Sequence, residues 1–207
     1  MKRLLAFAVV SVLIAMPSIA QDQNPHFYLV DYFSNNPGPG GAADQHIRLV
    51  NFGAAGTPLT SPGGDVCANV YVFDANQEMV SCCSCRITPN GLLTLSIASS
   101  LTNNPVTSVV PVNGDIKVLS TAALGSTPCT PLSQNGGFLD STAGFGTHLQ
   151  LSGGTASGTF ITETPLIAGT ISQVEYSFLL QACQYARYLG SNKGVCSCSS
   201  PQLPLPS

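Results

Sequence analysis

The chain has 207 residues, of which 8% are charged, and its formal net charge is −3 at pH 7. Typical soluble domains carry about 25% charged residues. Nucleic acids and anionic membrane surfaces bind clustered Lys and Arg, so the sparse basic residues argue against both partners. The length fits one domain that is large enough to bury a sizeable core.

The segment 1–20 has the three parts of a signal peptide. Basic residues open it, an apolar run follows over 4–16, and Ser18 and Ala20 are small residues at the positions that a signal peptidase reads. The apolar run is shorter than the roughly 20 residues that a membrane span needs. We therefore expect cleavage after Ala20 and a secreted protein, extracellular or periplasmic, with no membrane span once the signal peptide is removed.

Much of the remaining chain carries the sequence signals of β-strands. Segments rich in aromatic and β-branched residues, or with alternating apolar residues, are separated by turns rich in Gly, Pro and Asn. In one segment, Ile47, Leu49 and Asn51 fall on one face. The predicted strands cover 26–33, 46–52, a hairpin over 67–85, 92–97, 115–121, 147–153 and 158–166.

Short strands with frequent turn signals predict an antiparallel β-sandwich of Greek-key or jelly-roll type. We expect a single domain over 21–199. The segment 122–146 is rich in Gly, Ser, Thr and Pro, which predicts a long exposed loop. The Pro-rich tail over 200–207 is predicted to be disordered.

The C-terminal part changes to helical periodicity. Ser172 and Glu175 have the spacing of a capping box, and Gly190 is a suitable C-cap. We therefore predict one α-helix over about 173–189, with a pair of strands broken near Gln181 as the alternative. The apolar positions that repeat at helical spacing are Val174, Phe178, Ala182, Tyr185 and Leu189.

Eight cysteines, an even number, follow the expected cleavage point, and three of them lie within the sequence SCCSC at 81–85. An oxidising compartment favours pairing, so we expect four structural disulfides that staple the fold. The sequence does not choose among the many connectivities. The candidates are Cys67, Cys82, Cys83, Cys85, Cys129, Cys183, Cys196 and Cys198.

The register of the predicted hairpin decides one pairing. A three- or five-residue turn would place Cys67 opposite Cys83 or Cys85, which is close enough for a disulfide. A four-residue turn would place Ser84 there instead.

The C-terminal cysteines offer a second set of pairings. Cys196 or Cys198 can fold back on Cys183, because the chain turns after the predicted helix. One cysteine of CCSC would then bridge to Cys129 or to the C-terminal cluster, and would staple the helix to the sheet.

Metal binding and redox chemistry are two other interpretations of the cysteines. Thiolate-rich CCSC and CSC suit a soft cation such as Zn²⁺ or Cu(I), but an oxidising compartment removes the free thiolates that such a site needs. A redox site would be expected to lie in a thioredoxin-like βαβ pattern, which the predicted elements do not show. We therefore expect no cofactor.

One short motif resembles the opening of a calcium loop. Asp74, Asn76 and Glu78 alternate as hard oxygen ligands do, but Met79 occupies the position where such a loop needs Gly. A turn rich in Asp and Asn explains the same residues without a cation.

No catalytic residue can be assigned. A hydrolase needs a nucleophile, a base and an orienting acid, and the chain has no G-x-S-x-G motif. The three histidines, His26, His46 and His148, fall in or beside predicted strands and lack the spacing of a metal-binding helix. We therefore expect a protein that is not an enzyme.

The stretch VYVFDANQEMVSCCSCRITPNGLLTLSI, followed by a late cysteine and GVCSC, resembles an uncharacterised family of exported bacterial proteins. Its core is YVFD…QE…CCSC…NGL with a C-terminal C-x-C cluster. The resemblance implies export and pairing of the two cysteine clusters. It implies no catalytic residue.

Two function classes follow. The first is a non-enzymatic cell-surface or extracellular structural or interaction protein, whose partners would be itself, other surface proteins or glycans. Self-assembly would use an edge strand such as 26–33, unless that segment pairs within its own sheet.

The alternative class is a secreted hydrolase or carbohydrate-binding module. Its sugar platform would need exposed aromatic rings, although core packing explains the same residues. The candidates are Phe27 or Tyr28, Tyr32 or Phe33, and Tyr71 or Phe73.

Overall fold

A computed structural model describes residues 26–35, 45–56, 63–133, 136–151, 159–187 and 191–198. The expected signal peptide and the Pro-rich tail lie outside the described residues. Within those ranges, no helix combines the length and the apolar character needed to cross a membrane.

The described residues form nine strands in two antiparallel sheets, followed by one C-terminal α-helix, which confirms the predicted mainly β fold. Sheet A has the order β4–β3–β6–β1–β9 and sheet B the order β5–β2–β7–β8. The strands are β1 (Tyr28–Ser34), β2 (His46–Asn51), β3 (Val66–Asp74), β4 (Met79–Ile87), β5 (Leu92–Ser96), β6 (Asn113–Ala122), β7 (Thr142–Leu151), β8 (Thr159–Pro165) and β9 (Ile167–Ala168).

The two sheets pack face to face around an apolar core, as a sandwich does. Sheet B contributes alternate residues such as Ile47, Leu49, Leu93 and Leu95, because successive side chains of a strand point to opposite faces. The chain repeatedly crosses from one sheet to the other, so the strand order is not a simple meander.

Sheet A is covered on both faces. Its outer face packs against helix α1 (Gln173–Arg187) through a second apolar cluster that includes Tyr71, Phe73 and Leu179. Every residue of β3 except its last is buried, as expected of a strand between two layers. The molecule therefore has three layers: sheet B, sheet A and α1.

Helix α1 confirms the predicted helix, and the alternative of two strands is wrong. The Ser172 hydroxyl accepts a hydrogen bond from the Glu175 N–H at 3.1 Å, as predicted for the cap. The Glu175 side chain does not reach back to the cap residue as a capping box would predict. Its Oε1 instead lies 2.6 Å from Nζ of Lys117 in β6. The pair ties the first turn of the helix to sheet A.

The buried face of α1 differs from the prediction. Val174 and Tyr185 are each 80% exposed and Phe178 is 47% exposed, although their spacing suggested the core face. The helix carries two apolar stripes, and the one with Cys183 faces sheet A because Cys183 is bonded to Cys82. The buried residues of the helix are Tyr176, Leu179, Cys183 and Ala186.

Two other boundaries differ from the prediction. Strand β7 begins at Thr142, so the exposed loop predicted over 122–146 is shorter than expected. Part of that loop packs against sheet A. Pro131 is buried, and its carbonyl accepts a hydrogen bond from the Tyr71 hydroxyl at 2.8 Å. Ile97 does not end a strand but opens a single-turn π-helix, Ile97–Leu101.

Strand β1, the candidate for edge-strand assembly, is the fourth of the five strands of sheet A. It pairs with β6 along its whole length and with β9 at Leu29 and Val30. Beyond β9, the Tyr32 N–H donates to the Asp31 carboxylate and the Ser34 N–H to the Gln45 side chain. The segment therefore pairs within its own sheet, and self-assembly through this strand stays a prediction.

Candidate functional site: four disulfides centred on the β3–β4 hairpin

The β3–β4 hairpin closes with a three-residue loop. The Asp74 N–H donates to the Glu78 carbonyl and the Gln77 N–H to the Asp74 carbonyl, both at 3.0 Å. Gln77 adopts a left-handed conformation with φ of 67°, as the third loop residue of such hairpins does. A three-residue loop is one of the two lengths that were expected to place Cys67 opposite Cys83 or Cys85.

The calcium candidate residues lie in this turn. Asp74 Oδ1 accepts hydrogen bonds from the backbone N–H groups of Asn76 and Glu78, both at 2.9 Å. These bonds give the Asp74 carboxylate a structural role in closing the hairpin. The turn interpretation therefore accounts for Asp74, Asn76 and Glu78.

A β-bulge changes the register beyond the turn. Phe73 lies opposite Met79, but Val72 lies opposite Ser81, so one extra residue enters β4. Cys67 consequently faces Arg86. The predicted bond from Cys67 to Cys83 or Cys85 is therefore wrong, because one inserted residue moves every later side chain of β4 to the other face.

All eight cysteines form disulfides, and each bond has one half in the hairpin. Strand β3 contributes one cysteine and β4 contributes three, while their partners come from later in the chain. The bonds are Cys67–Cys129, Cys82–Cys183, Cys83–Cys196 and Cys85–Cys198. The hairpin is thus the common anchor for three separate segments.

The predicted bond from Cys183 to Cys196 or Cys198 is also wrong. Cys82 lies on the outer face of sheet A, where it reaches Cys183 of α1. Cys196 and Cys198 instead bind the other two cysteines of β4. All three cysteines of CCSC therefore bridge to C-terminal segments, and the two cysteine clusters do pair.

The C-terminal segment 194–198 covers the edge of β4. Val195 forms a parallel bridge with Cys82, and the Cys82 N–H donates to the Gly194 carbonyl at 3.0 Å. On its other side, the Ser197 N–H donates to the Ser100 carbonyl at 2.8 Å. The segment fills the gap between β4 and the π-helix, so it caps an edge that is otherwise a pairing surface.

The sulfur atoms of Cys83, Cys85 and Cys198 lie within 4.8 Å of one another. Such proximity is what a thiolate metal site requires, yet all three sulfurs are committed to disulfides. A cysteine ligates a metal as its thiolate, so these oxidised cysteines offer no thiolate ligand. In this state the cysteines serve as cross-links.

One largely buried ionisable pair joins the two sheets, and no sequence pattern predicted it. The side chains of Asp31 in β1 and His148 in β7 are 9% and 7% exposed, with Oδ1 and Nε2 3.6 Å apart. Burial raises the pKa of the Asp31 carboxyl, and the nearby His148 opposes that rise. The pairing depends on how the sheets pack, which local patterns do not reveal.

The other histidines lie apart from this pair. The backbone N–H of His26 donates to the Asp140 carboxylate at 2.8 Å. His46 lies opposite Thr147 on β2, so its side chain falls on the face of sheet B opposite to that of His148. The three histidines therefore do not converge on one site.

The candidate aromatic platform is mostly buried. Among the six residues considered for it, Tyr32 is the strongly exposed one, at 61% exposure. Its ring stacks on the His148 imidazole, with the ring centres 4.4 Å apart. Phe27 stacks on Phe138. The buried members of the set are Tyr28, Phe33, Tyr71 and Phe73.

Comparison with known proteins yields little. The chain matches no protein-family model and no curated protein. A solved structure, the Anabaena sensory rhodopsin transducer, aligns with 45% of this chain and 88% of its own, at 10% identity and a TM-score of 0.30.

Proposed function

We propose that this protein is an exported bacterial protein of the cell surface or extracellular space, with a structural or interaction role and no enzymatic activity. The observation that carries the proposal is the set of four disulfides anchored on one hairpin. Disulfides persist in oxidising compartments, so they indicate a non-cytoplasmic environment. The basic and apolar composition of 1–20 supports export through a signal peptide.

The arrangement of the disulfides suits a protein that must stay folded outside the cell. The bonds join residues 62, 101, 113 and 113 positions apart in sequence. Closing such long loops restricts the unfolded chain, and each bond typically contributes about 2–4 kcal/mol to the free energy of unfolding. The cross-links hold α1, the 123–141 loop and the C-terminal segment to sheet A.

The low exposure of the Asp31 and His148 side chains favours a non-enzymatic role. The Asp31–His148 pair is largely buried between the sheets, whereas a catalytic base must reach its substrate. Val174, Phe178 and Tyr185 are exposed and share one face of α1 by their helical spacing, and exposed apolar side chains grouped on one face support an interaction role.

Expression of the whole chain in a bacterial host tests this proposal. Cells and medium are fractionated with thiols blocked at lysis, and the N-terminus is read by mass spectrometry. We expect a chain that starts at Gln21 and is found in the envelope or medium. An intact N-terminus in the cytosol, with free thiols, would contradict export.

The non-enzymatic part has its own test. Purified protein and a His148→Gln variant are compared on panels of ester, peptide and glycoside substrates. We expect no turnover by either protein. Turnover by the natural protein that the variant loses would refute a purely structural or interaction role.

A further inference from the structure

We propose that the Cys85–Cys198 disulfide is an exchange site for external thiols, with Cys198 as the sulfur attacked and Cys85 as the leaving and resolving thiol. The other three disulfides do not exchange in the folded protein. This site goes beyond the proposed structural role, because it makes a covalent and reversible bond to a thiol-bearing molecule.

Exposure distinguishes this bond from the others. Among the described cysteines, Cys198 alone is exposed. Its neighbour Cys196 is 5% exposed, and the Cys82–Cys183 bond is fully buried at both ends. Cys129 is half-buried, and its partner Cys67 is fully buried, so neither sulfur of that bond is as accessible as Cys198. A thiolate must approach a disulfide sulfur to react, so access favours attack at Cys198.

The exchange step balances without an added oxidant or reductant. The thiolate of an external thiol attacks Cys198 Sγ and forms a mixed disulfide, while the Cys85–Cys198 bond breaks and Cys85 leaves with the electron pair. The Cys85 thiolate then takes up the proton that the external thiol lost. In the reverse step the Cys85 thiolate attacks Cys198 Sγ and expels the external thiolate.

The neighbouring disulfide keeps the opened site together. Cys83–Cys196 fixes the segment two residues before Cys198, and the Cys196 N–H donates to the Cys82 carbonyl at 3.4 Å. Cys198 therefore stays near Cys85, and reclosure is an intramolecular reaction with a high effective concentration. The sulfurs of Cys83, Cys85 and Cys198 lie within 4.8 Å in the closed state.

Reduced glutathione is the probe that tests the site. The folded protein is incubated with glutathione, free thiols are trapped with iodoacetamide, and the modified cysteines are located by fragmentation mass spectrometry. We expect a glutathione adduct on Cys198 and alkylation of Cys85, at least about tenfold faster than any change at the other disulfides, which open only with local unfolding. First opening at another bond, or simultaneous loss of all four, would overturn the proposal.

Paired variants give matched controls. Cys67→Ser with Cys129→Ser should keep the Cys198 adduct, and Cys85→Ser with Cys198→Ser should abolish all fast labelling. Cys83→Ala with Cys196→Ala should still form the adduct but reclose at least about tenfold more slowly once glutathione is removed, because the tether is lost. Unchanged reclosure would contradict the tethering step. Purified protein is used throughout, so failure here is distinct from failure of export.

Discussion

Cys82 and Cys83 are consecutive residues of β4, yet their disulfides leave opposite faces of sheet A. Cys82 reaches Cys183 of the helix layer, while Cys83 reaches Cys196 in the segment that caps the β4 edge. Alternation along the strand sends the two side chains apart. One dipeptide of sheet A is therefore bonded both to helix α1 and to the C-terminal edge segment.

The helix tether can be tested by replacing Cys82 and Cys183 together with Ala. Loss of this cross-link, which spans 101 residues, should lower the free energy of unfolding by about 2–4 kcal/mol. Urea unfolding measures the change. The Cys85→Ser, Cys198→Ser variant serves as a control that retains the helix tether. Unchanged stability in the Ala variant would show that α1 is held by packing alone.

Removal of the C-terminal segment that covers the β4 edge should make the protein self-associate. A chain truncated after Lys193, with Cys83→Ala and Cys85→Ala, should expose the edge N–H and C=O groups and self-associate as concentration rises. Sedimentation velocity measures this, and a thermal melt verifies that the variant is folded. Truncation after Cys198 is the control and should sediment as the full chain does. A folded, non-associating variant would contradict the capping role.

Gly146 should not tolerate a side chain. A Cβ there would overlap the Asp31 carboxylate, so Gly146→Ala should lower the free energy of unfolding by about 1–3 kcal/mol. Gly169→Ala is the matched control, because its Cβ would lie an ordinary 3.5 Å from the Tyr28 ring. Adding Asp31→Ala to the first variant should recover part of the loss. Equal stability of the two Ala variants would refute the close approach.

The Asp31 carboxyl should make stability depend on pH. Its folded-state pKa is raised above the ordinary value of 3.8, chiefly by burial, with His148 as the opposing charge. The folded state therefore binds the proton more tightly, and this contribution to stability is full below 3.8 and lost as pH rises through the folded-state pKa. Asp31→Asn should thus gain stability relative to the natural protein between acidic and neutral pH.

Urea unfolding across that pH range measures the effect. Glu163→Gln is the control, because its side chain is 48% exposed on sheet B. The control should show no comparable gain. A constant difference between Asp31→Asn and the natural protein would contradict the raised pKa.

The strands and the helix were predictable because their signals are local. Alternation placed Ile47 and Leu49 on the core face, and the Ser172 cap marked the start of α1. The buried face of α1 was not predictable, because Val174 and Tyr176 each begin an apolar stripe at helical spacing. Packing on sheet A and the bond at Cys183 select between them.

One extra residue in β4 decides which residue lies opposite Cys67. The sequence signals supported a hairpin and a short turn, and both are present. The bulge opposite Val72 has no sequence signal, yet it moves Arg86 opposite Cys67 and leaves Cys83 and Cys85 to the C-terminal segment. The Asp31–His148 pair was also not predictable from the sequence, because it depends on how the two sheets pack.

The β3–β4 hairpin anchors all four disulfides. Non-reducing peptide mass spectrometry tests it most directly, on protein exported by a bacterial host with thiols blocked at lysis. We predict the linkages Cys67–Cys129, Cys82–Cys183, Cys83–Cys196 and Cys85–Cys198. A bond from Cys67 to a cysteine of β4, or a bond between Cys183 and the C-terminal cysteines, would contradict this disulfide map.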